Sequence, residues 1–264
     1  MTSCCAEGPM ATNALLERHL KSLQLAAFVE HYADLAQDAQ HAGWSYEQFL
    51  LALAEQEVAR RTLNRQRRLI QQARFPIRKE LADFDFACLP DLNRSRLLHL
   101  ADTSAYVPAA EPVLFVGNPG LGKSHLAISL GLAACRQGFK TRFYNTAALV
   151  NDLTLAQAEQ RLPKLLAAAR QHNLFILDEL GFIPFSPSGA QLLFQFCSAL
   201  HEQVALIVTT NLAFSDWPQV FGDARLTAAL IDRLTYHAHI FEFRGQSYRF
   251  RDHAQEVSPQ TTAR

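Results

Sequence analysis

Residues 113–124 read VLFVGNPGLGKS. A short β-branched run, a glycine-rich turn and the start of a helical pattern follow one another without a break, an order that a strand entering a helix through a tight loop accommodates. The same alternation then repeats down the chain. Helical patterns cover Lys123 to about Gln137, about 147–170, about 188–202 and about Leu226–Tyr236, and between and after them stand TRFYN (141–145), LFILD (174–178), VALIVTTN (204–211) and HIFEF (239–243). Short apolar runs alternating with helices predict a parallel five-stranded sheet covered on both faces. The α/β part is expected to span about 77–252, its first 35 or so residues forming a connector with one short helix around Ser95–Ala101, closed by Pro108 and Pro112.

Upstream the period changes to helical, with Leu16, Leu20 and Leu23 and then Phe28, Tyr32 and Leu35 on one face. Gly43 breaks this run, and Ser45 with Gln48 has the spacing of a capping box. The helix that starts there carries Phe49 and Leu53, continues through an arginine cluster and ends at Phe75-Pro76, since proline disfavours helix in the residue before it. Residues 11–76 are therefore expected to form a small all-helical domain, and 1–10 and 253–264 to be flexible termini.

The chain has 264 residues, 49% apolar, with 25 basic and 25 acidic side chains, which excludes disorder as a whole-chain property. No apolar run reaches the 18 to 20 or so residues of a membrane span, and Met1–Pro9 lacks the order of a signal peptide, so a cytoplasmic protein without a membrane partner is expected. Cys4, Cys5, Cys88, Cys135 and Cys197 are odd in number and form no CxxC pair, as expected of reduced thiols. The neutral total hides a segregation: residues 1–59 hold two bases and eight acids, whereas residues 60–79 hold eight bases and no acid. The partner signal is local.

GNPGLGKS matches GxxxxGK[ST] in its proper strand-to-helix context, the signature of a phosphate-binding loop. Gly117, Asn118, Pro119, Gly120, Leu121 and Gly122 form the loop whose glycines let backbone amides surround the phosphates, Lys123 reaches the terminal ones, Ser124 can ligate magnesium, and His125 completes the nucleotide-binding stretch. LFILDE places Asp178 and Glu179 at the end of an apolar strand, Asp178 suited to hold magnesium and Glu179 to orient the attacking water of a nucleotide hydrolase. A helix-capping acid pair is the plainer alternative. Thr209-Thr210-Asn211 ends the next strand, where Asn211 could lie between the γ phosphate and the water, or simply form a turn. Arg225 and Arg233 in ARLTAALIDRL are candidates for an arginine finger or solvated helix residues.

With these motifs in view the chain resembles the IstB-type helper ATPases of insertion sequences and, more distantly, bacterial replicative helicase loaders, both of the AAA+ class. The resemblance rests on GNPGLGKS, LFILDELGFIP, IVTTNLAFSDWPQVFGD, LIDRLTYHAHIFEFRGQSYR and the upstream FPIRKELADFDF. It implies ATP and Mg2+ as cofactors, hydrolysis to ADP and phosphate, and assembly into a homo-oligomer with active sites at subunit interfaces. Double-stranded DNA and the transposase of the same element are the implied partners. Asn211 matches the first sensor, and Arg233 matches the finger better than Arg225. About 20 residues follow HIFEF, too few for a full helical lid, which leaves Arg244, Arg249 and Arg251 as second-sensor candidates. In this context Arg61, Arg65 and Arg68 form one helical stripe and Arg60, Arg67 and Arg74 another, suited to DNA phosphates; pairing with the acidic residues 1–59 is the alternative. A helicase loader, an adaptor that keeps ATP as a structural ligand, and a small-molecule kinase remain rivals, the last leaving Glu179 idle.

Overall fold

The computed structural model describes residues 9–245, which fall into two units, one up to Arg67 and one from Arg68 onward. The first unit holds α1 (Pro9–Ser22), α2 (Ala26–Ala42) and most of α3 (Tyr46–Ala73), whose last turns belong to the second unit. The expected capping box is formed, Ser45 N donating to Gln48 Oε1 at 2.8 Å and Gln48 N to Ser45 Oγ at 3.3 Å. Gly43 caps α2 in the left-handed conformation at φ 66°. A second break, unexpected from the sequence, separates α1 from α2 at Gln24, which adopts φ 58°. Leu25 offers no side-chain cap to α2, and Glu57 of α3 supplies it instead, accepting from Ala27 N at 2.9 Å.

In the second unit α4 (Arg94–Thr103) precedes β1 (Val113–Gly117), α5 (Lys123–Arg136) and β2 (Thr141–Asn145). The helix expected at 147–170 is divided into α6 (Thr146–Ala158) and α7 (Leu162–Ala169), because Gln160 turns to φ 56° and Pro163 enters the first turn of α7. Then come β3 (Leu174–Leu180), α8 (Pro187–Leu200), β4 (Ala205–Thr210), a short α9 (Trp217–Phe221) that the sequence did not signal, α10 (Ala224–Thr235) and β5 (His239–Phe243). The strands pair in parallel in the order β2-β3-β4-β1-β5. One face packs Leu97, Leu126, Leu130, Ile176 and Ile207, and the other Leu149, Leu153, Leu193, Phe196 and Leu230, so the central strands are buried on both sides, as their unbroken apolar runs require.

This order positions the site. In a parallel sheet all carboxyl ends share one edge, so β1, β4, β3 and β2 present there, side by side, the glycine loop, Asn211, Asp178 with Glu179, and Asn145. With β4 between them, β1 and β3 lie roughly 10 Å apart, the width of two strand spacings, which leaves room for a phosphate chain. Cys135 and Cys197 are buried free thiols and Cys88 a half-buried one, while Cys4 and Cys5 lie outside the described residues. No helix among the described residues is long and apolar enough to cross a membrane. The expectations for the lid, for both termini and for Arg249 and Arg251 also fall outside the described residues.

Candidate active site

The glycine loop is shaped by two close approaches. A Cβ on Gly117 would lie 2.1 Å from the Phe243 carbonyl oxygen, and one on Gly122 would lie 2.5 Å from the Phe84 ring, so neither position admits another residue without displacing its neighbour. Gly120 and Gly122 stand at φ 78° and 85°, turning the amides inward ahead of α5. Leu121 anchors the loop in the core, and His125 fixes the first turn through Nε2 and the Glu80 carbonyl at 2.8 Å. Lys123 is buried, its Nζ donating to the carbonyls of Gly117 at 2.6 Å and Asn118 at 2.7 Å. Burial pushes the Lys123 ammonium down to about 8, against the opposing pull of Asp178 and Glu179.

Opposite the loop, two residues of β3 face one of β4: Leu177 pairs with Val208 and Leu180 with Thr210, so Asp178 and Glu179 form a bulge against Thr209. Glu179 sits there at φ 58°, a conformation that costs a non-glycine residue about 1–3 kcal/mol and persists only when its surroundings enforce it. Thr209 enforces it. Its hydroxyl donates to Asp178 Oδ1 at 2.6 Å and accepts from Glu179 N at 2.9 Å, so one side chain holds the buried aspartate and the backbone of the exposed glutamate. Thr146 Oγ1 donates to the Asp178 carbonyl at 2.8 Å and Thr210 Oγ1 to that of Leu180 at 2.8 Å, completing the frame. On the far side Asn145 Nδ2 donates to Glu179 Oε2 at 2.9 Å while its Oδ1 caps α6. Sequence reasoning missed Asn145, whose only signal was its place at a strand end, and saw Thr209 as part of a polar cluster without a role.

Asn211 lines a crevice of about 400 Å³ with Asn118, Gly117, Phe214, Glu242 and Arg244. Of the second-sensor candidates, Arg244 is thus beside the loop, paired with Glu242. The finger candidates are not at this site within the chain's own sheet edge. Arg225 is exposed in the first turn of α10, and Arg233 in its last turn lies 4.8 Å over the Phe194 ring with Nη1 donating to the Ala229 carbonyl. Of the DNA candidates, Arg60, Arg61, Arg65 and Arg67 belong to the first unit and Arg68 and Arg74 to the second. Arg60 is half-buried and the others are exposed, but Arg61 is engaged, its Nε on Glu57 Oε1 at 2.6 Å and its Nη2 on the Gln24 carbonyl at 3.1 Å.

The profile of the IstB-like ATP binding protein family matches residues 18–256 of this chain. A Geobacillus stearothermophilus protein named for ATP binding in insertion sequence IS5376 is 35% identical over 237 residues, which are 90% of this chain and 94% of that protein. A Bacillus thuringiensis subsp. berliner protein, named likewise for insertion sequence IS232, is 33% identical over 238 residues, 90% of this chain and 95% of its own. Among solved structures, the crystal structure of DnaI matches with a TM-score of 0.53 at 17% identity, covering 67% of this chain and 94% of that one. That likeness is one of fold, a five-stranded parallel sheet in the order β2-β3-β4-β1-β5.

Proposed function

This chain belongs to the IstB-like ATP-binding proteins of insertion sequences, and from that premise we propose that it hydrolyses ATP while assembled on double-stranded DNA and that the loaded assembly recruits or regulates the transposase of the same element. The observation that carries hydrolysis, beyond ATP binding, is the bulged Asp178–Glu179 pair, clamped by Thr209 and Asn145 at the sheet edge that also bears the glycine loop. A loop meant only to grip nucleotide has no use for a strained glutamate beside it.

The residues suit a magnesium–triphosphate: a buried lysine now satisfied by its own loop's carbonyls, a hydroxyl at the head of α5 and a buried carboxylate across the sheet edge. Ser124 and Asp178 would hold the Mg2+, which supplies charge neutralisation for the phosphates. Lys123 adds a positive charge beside the terminal phosphates. Glu179 orients the attacking water and accepts its proton, Asn145 restrains that carboxylate, and Asn211 lies between loop and acids on β4's end. Arg233, or failing that Arg225, reaches a neighbouring subunit's γ phosphate.

The test measures ATP binding and phosphate release with and without duplex DNA. Wild-type turnover should rise with DNA. Lys123→Ala should lose ATP binding, whereas Glu179→Gln should keep it, slow turnover at least about tenfold and prolong the DNA-bound assembly. Equal loss of affinity in both variants contradicts the division of labour, and DNA binding without turnover leaves ATP as a structural ligand of an adaptor.

A further inference from the structure

Three of the second unit's exposed bases are neutralised in place, Arg136 by Glu80, Arg161 by Glu159 and Arg244 by Glu242. A different arrangement stands at the edge of the sheet. Strand β2 is the outermost strand of the sheet, bonded on one side to β3, and along it Arg142 and Tyr144 share a face that the alternation extends back to Lys140. The Arg142 guanidinium lies 4.9 Å over the Tyr144 ring and donates to the Gln72 carbonyl at 3.3 Å. Tyr144 in turn stacks on Phe175 at 6.3 Å and 6°, and the His172 ring meets Phe175 edge-on at 5.0 Å. Lys140 is tied to the same corner by its backbone, Asn173 Oδ1 accepting from Lys140 N at 2.9 Å. The result is a packed tile of aromatic rings that holds Arg142 and His172 at one edge, with Lys140 next to it in the chain fold.

We infer that Lys140, Arg142 and His172 form a nucleic-acid phosphate surface on the ATPase unit itself, separate from the arginines of residues 60–67. The inference rests on the DNA-binding part of the proposed function and names a surface that reading did not contain. His172 is held below its usual range by burial first and then by the charges of Lys140 and Arg142, against the opposing pull of the Ala168 and Ala169 carbonyls. Lys140 and Arg142 thus bring two positive charges to bear on one ring at this edge, an arrangement that favours an external anion. The tile is an open strand edge, so it suits a polyanion with repeating charge better than a single enclosed ion. An arginine held flat on a ring keeps most of its donor fork for phosphate. A charged edge strand also discourages strand addition, and that role predicts a different outcome below.

The experiment titrates full-length protein with duplex DNA over a range of salt in the presence of ATP. Lys140→Gln with Arg142→Gln should flatten the salt slope by about two per subunit, at roughly 0.9 per lost phosphate contact, and weaken binding ten- to a hundredfold near 0.1 M salt, with ATP affinity unchanged. Arg142→Lys, which keeps the charge, should keep the slope. Should the double variant fold poorly, Lys140→Gln alone should still flatten the slope by about one. Wild-type affinity and slope in the double variant overturn the inference while leaving DNA binding elsewhere intact. The same result accompanied by new self-association in sedimentation, or by loss of transposase binding, overturns it in favour of edge protection or an acidic protein partner. A wild type that binds no duplex refutes the DNA-binding reading itself.

Discussion

Lys123 and Glu179 are each held by a neighbour that decides when they can act. Burial opposes the charge of the Lys123 ammonium and pushes it down to about 8. Phosphates favour the charged form, so nucleotide raises that value and binding takes up a proton above pH 8. ATP affinity should therefore be flat below about pH 8 and fall by up to tenfold per unit above it, measurable by calorimetry in buffers of different ionisation enthalpy. Asn145 joins two tasks in one side chain, and Asn145→Asp separates them. Aspartate caps a helix as well as asparagine does, but it meets Glu179 with a like charge. Thermal stability and ATP affinity should stay near wild type while turnover changes several-fold, read by steady-state phosphate release. The lysine was legible because glycine spacing announces a phosphate loop. Asn145 and Thr209 were not, because their partners are set by which strands flank β3, and strand order leaves no periodic trace in the chain.

Among the elements, α3 was drawn from the sequence almost to the residue, since the capping box at its start and Phe75-Pro76 after its end are local signals. The breaks at Gln24 and Gln160 were missed for the converse reason: each turn uses a positive φ at a glutamine, where glycine would have given it away. What α3 carries also differs in part from its charge count. Although burial pushes the Glu57 carboxyl up, the Ala27 amide and then Arg61 bring it below its ordinary value, so this contribution is present above the unfolded carboxylate pKa and is lost as pH falls through the lower folded one. Arg61→Gln should accordingly lower the stability of the first unit by about 1–2 kcal/mol, at the low end for a broken buried pair because the arginine is mostly exposed. Thermal melting would show it. Replacing Arg67 by Gln should leave melting unchanged and weaken DNA binding, so the two outcomes separate the helix's internal work from its outward charge.

At the scale of the whole molecule, the sheet order assembles the loop, both acids and Asn211 from one chain but leaves both finger candidates, Arg225 and Arg233, on α10 and engaged elsewhere or exposed. Arg233→Ala should bind ATP nearly normally with turnover reduced by orders of magnitude, the scale of an arginine finger. Mixing it with Lys123→Ala should restore part of the rate at hybrid interfaces. A larger defect in Arg225→Ala, with no rescue of Arg233→Ala at any ratio, would move the finger to Arg225. The architecture and the P-loop were legible because alternating periods and a glycine motif are local, whereas the completion by another copy that we propose would leave only an arginine in the sequence as its sign. The Lys123 contacts have one more consequence, in time. Lys123 closes the loop on the Gly117 and Asn118 carbonyls, so an arriving nucleotide displaces an internal occupant, and a departing one is replaced by it. Exchange is then paced by the lysine's release from its own backbone, and the observed association rate should level off as ATP concentration rises.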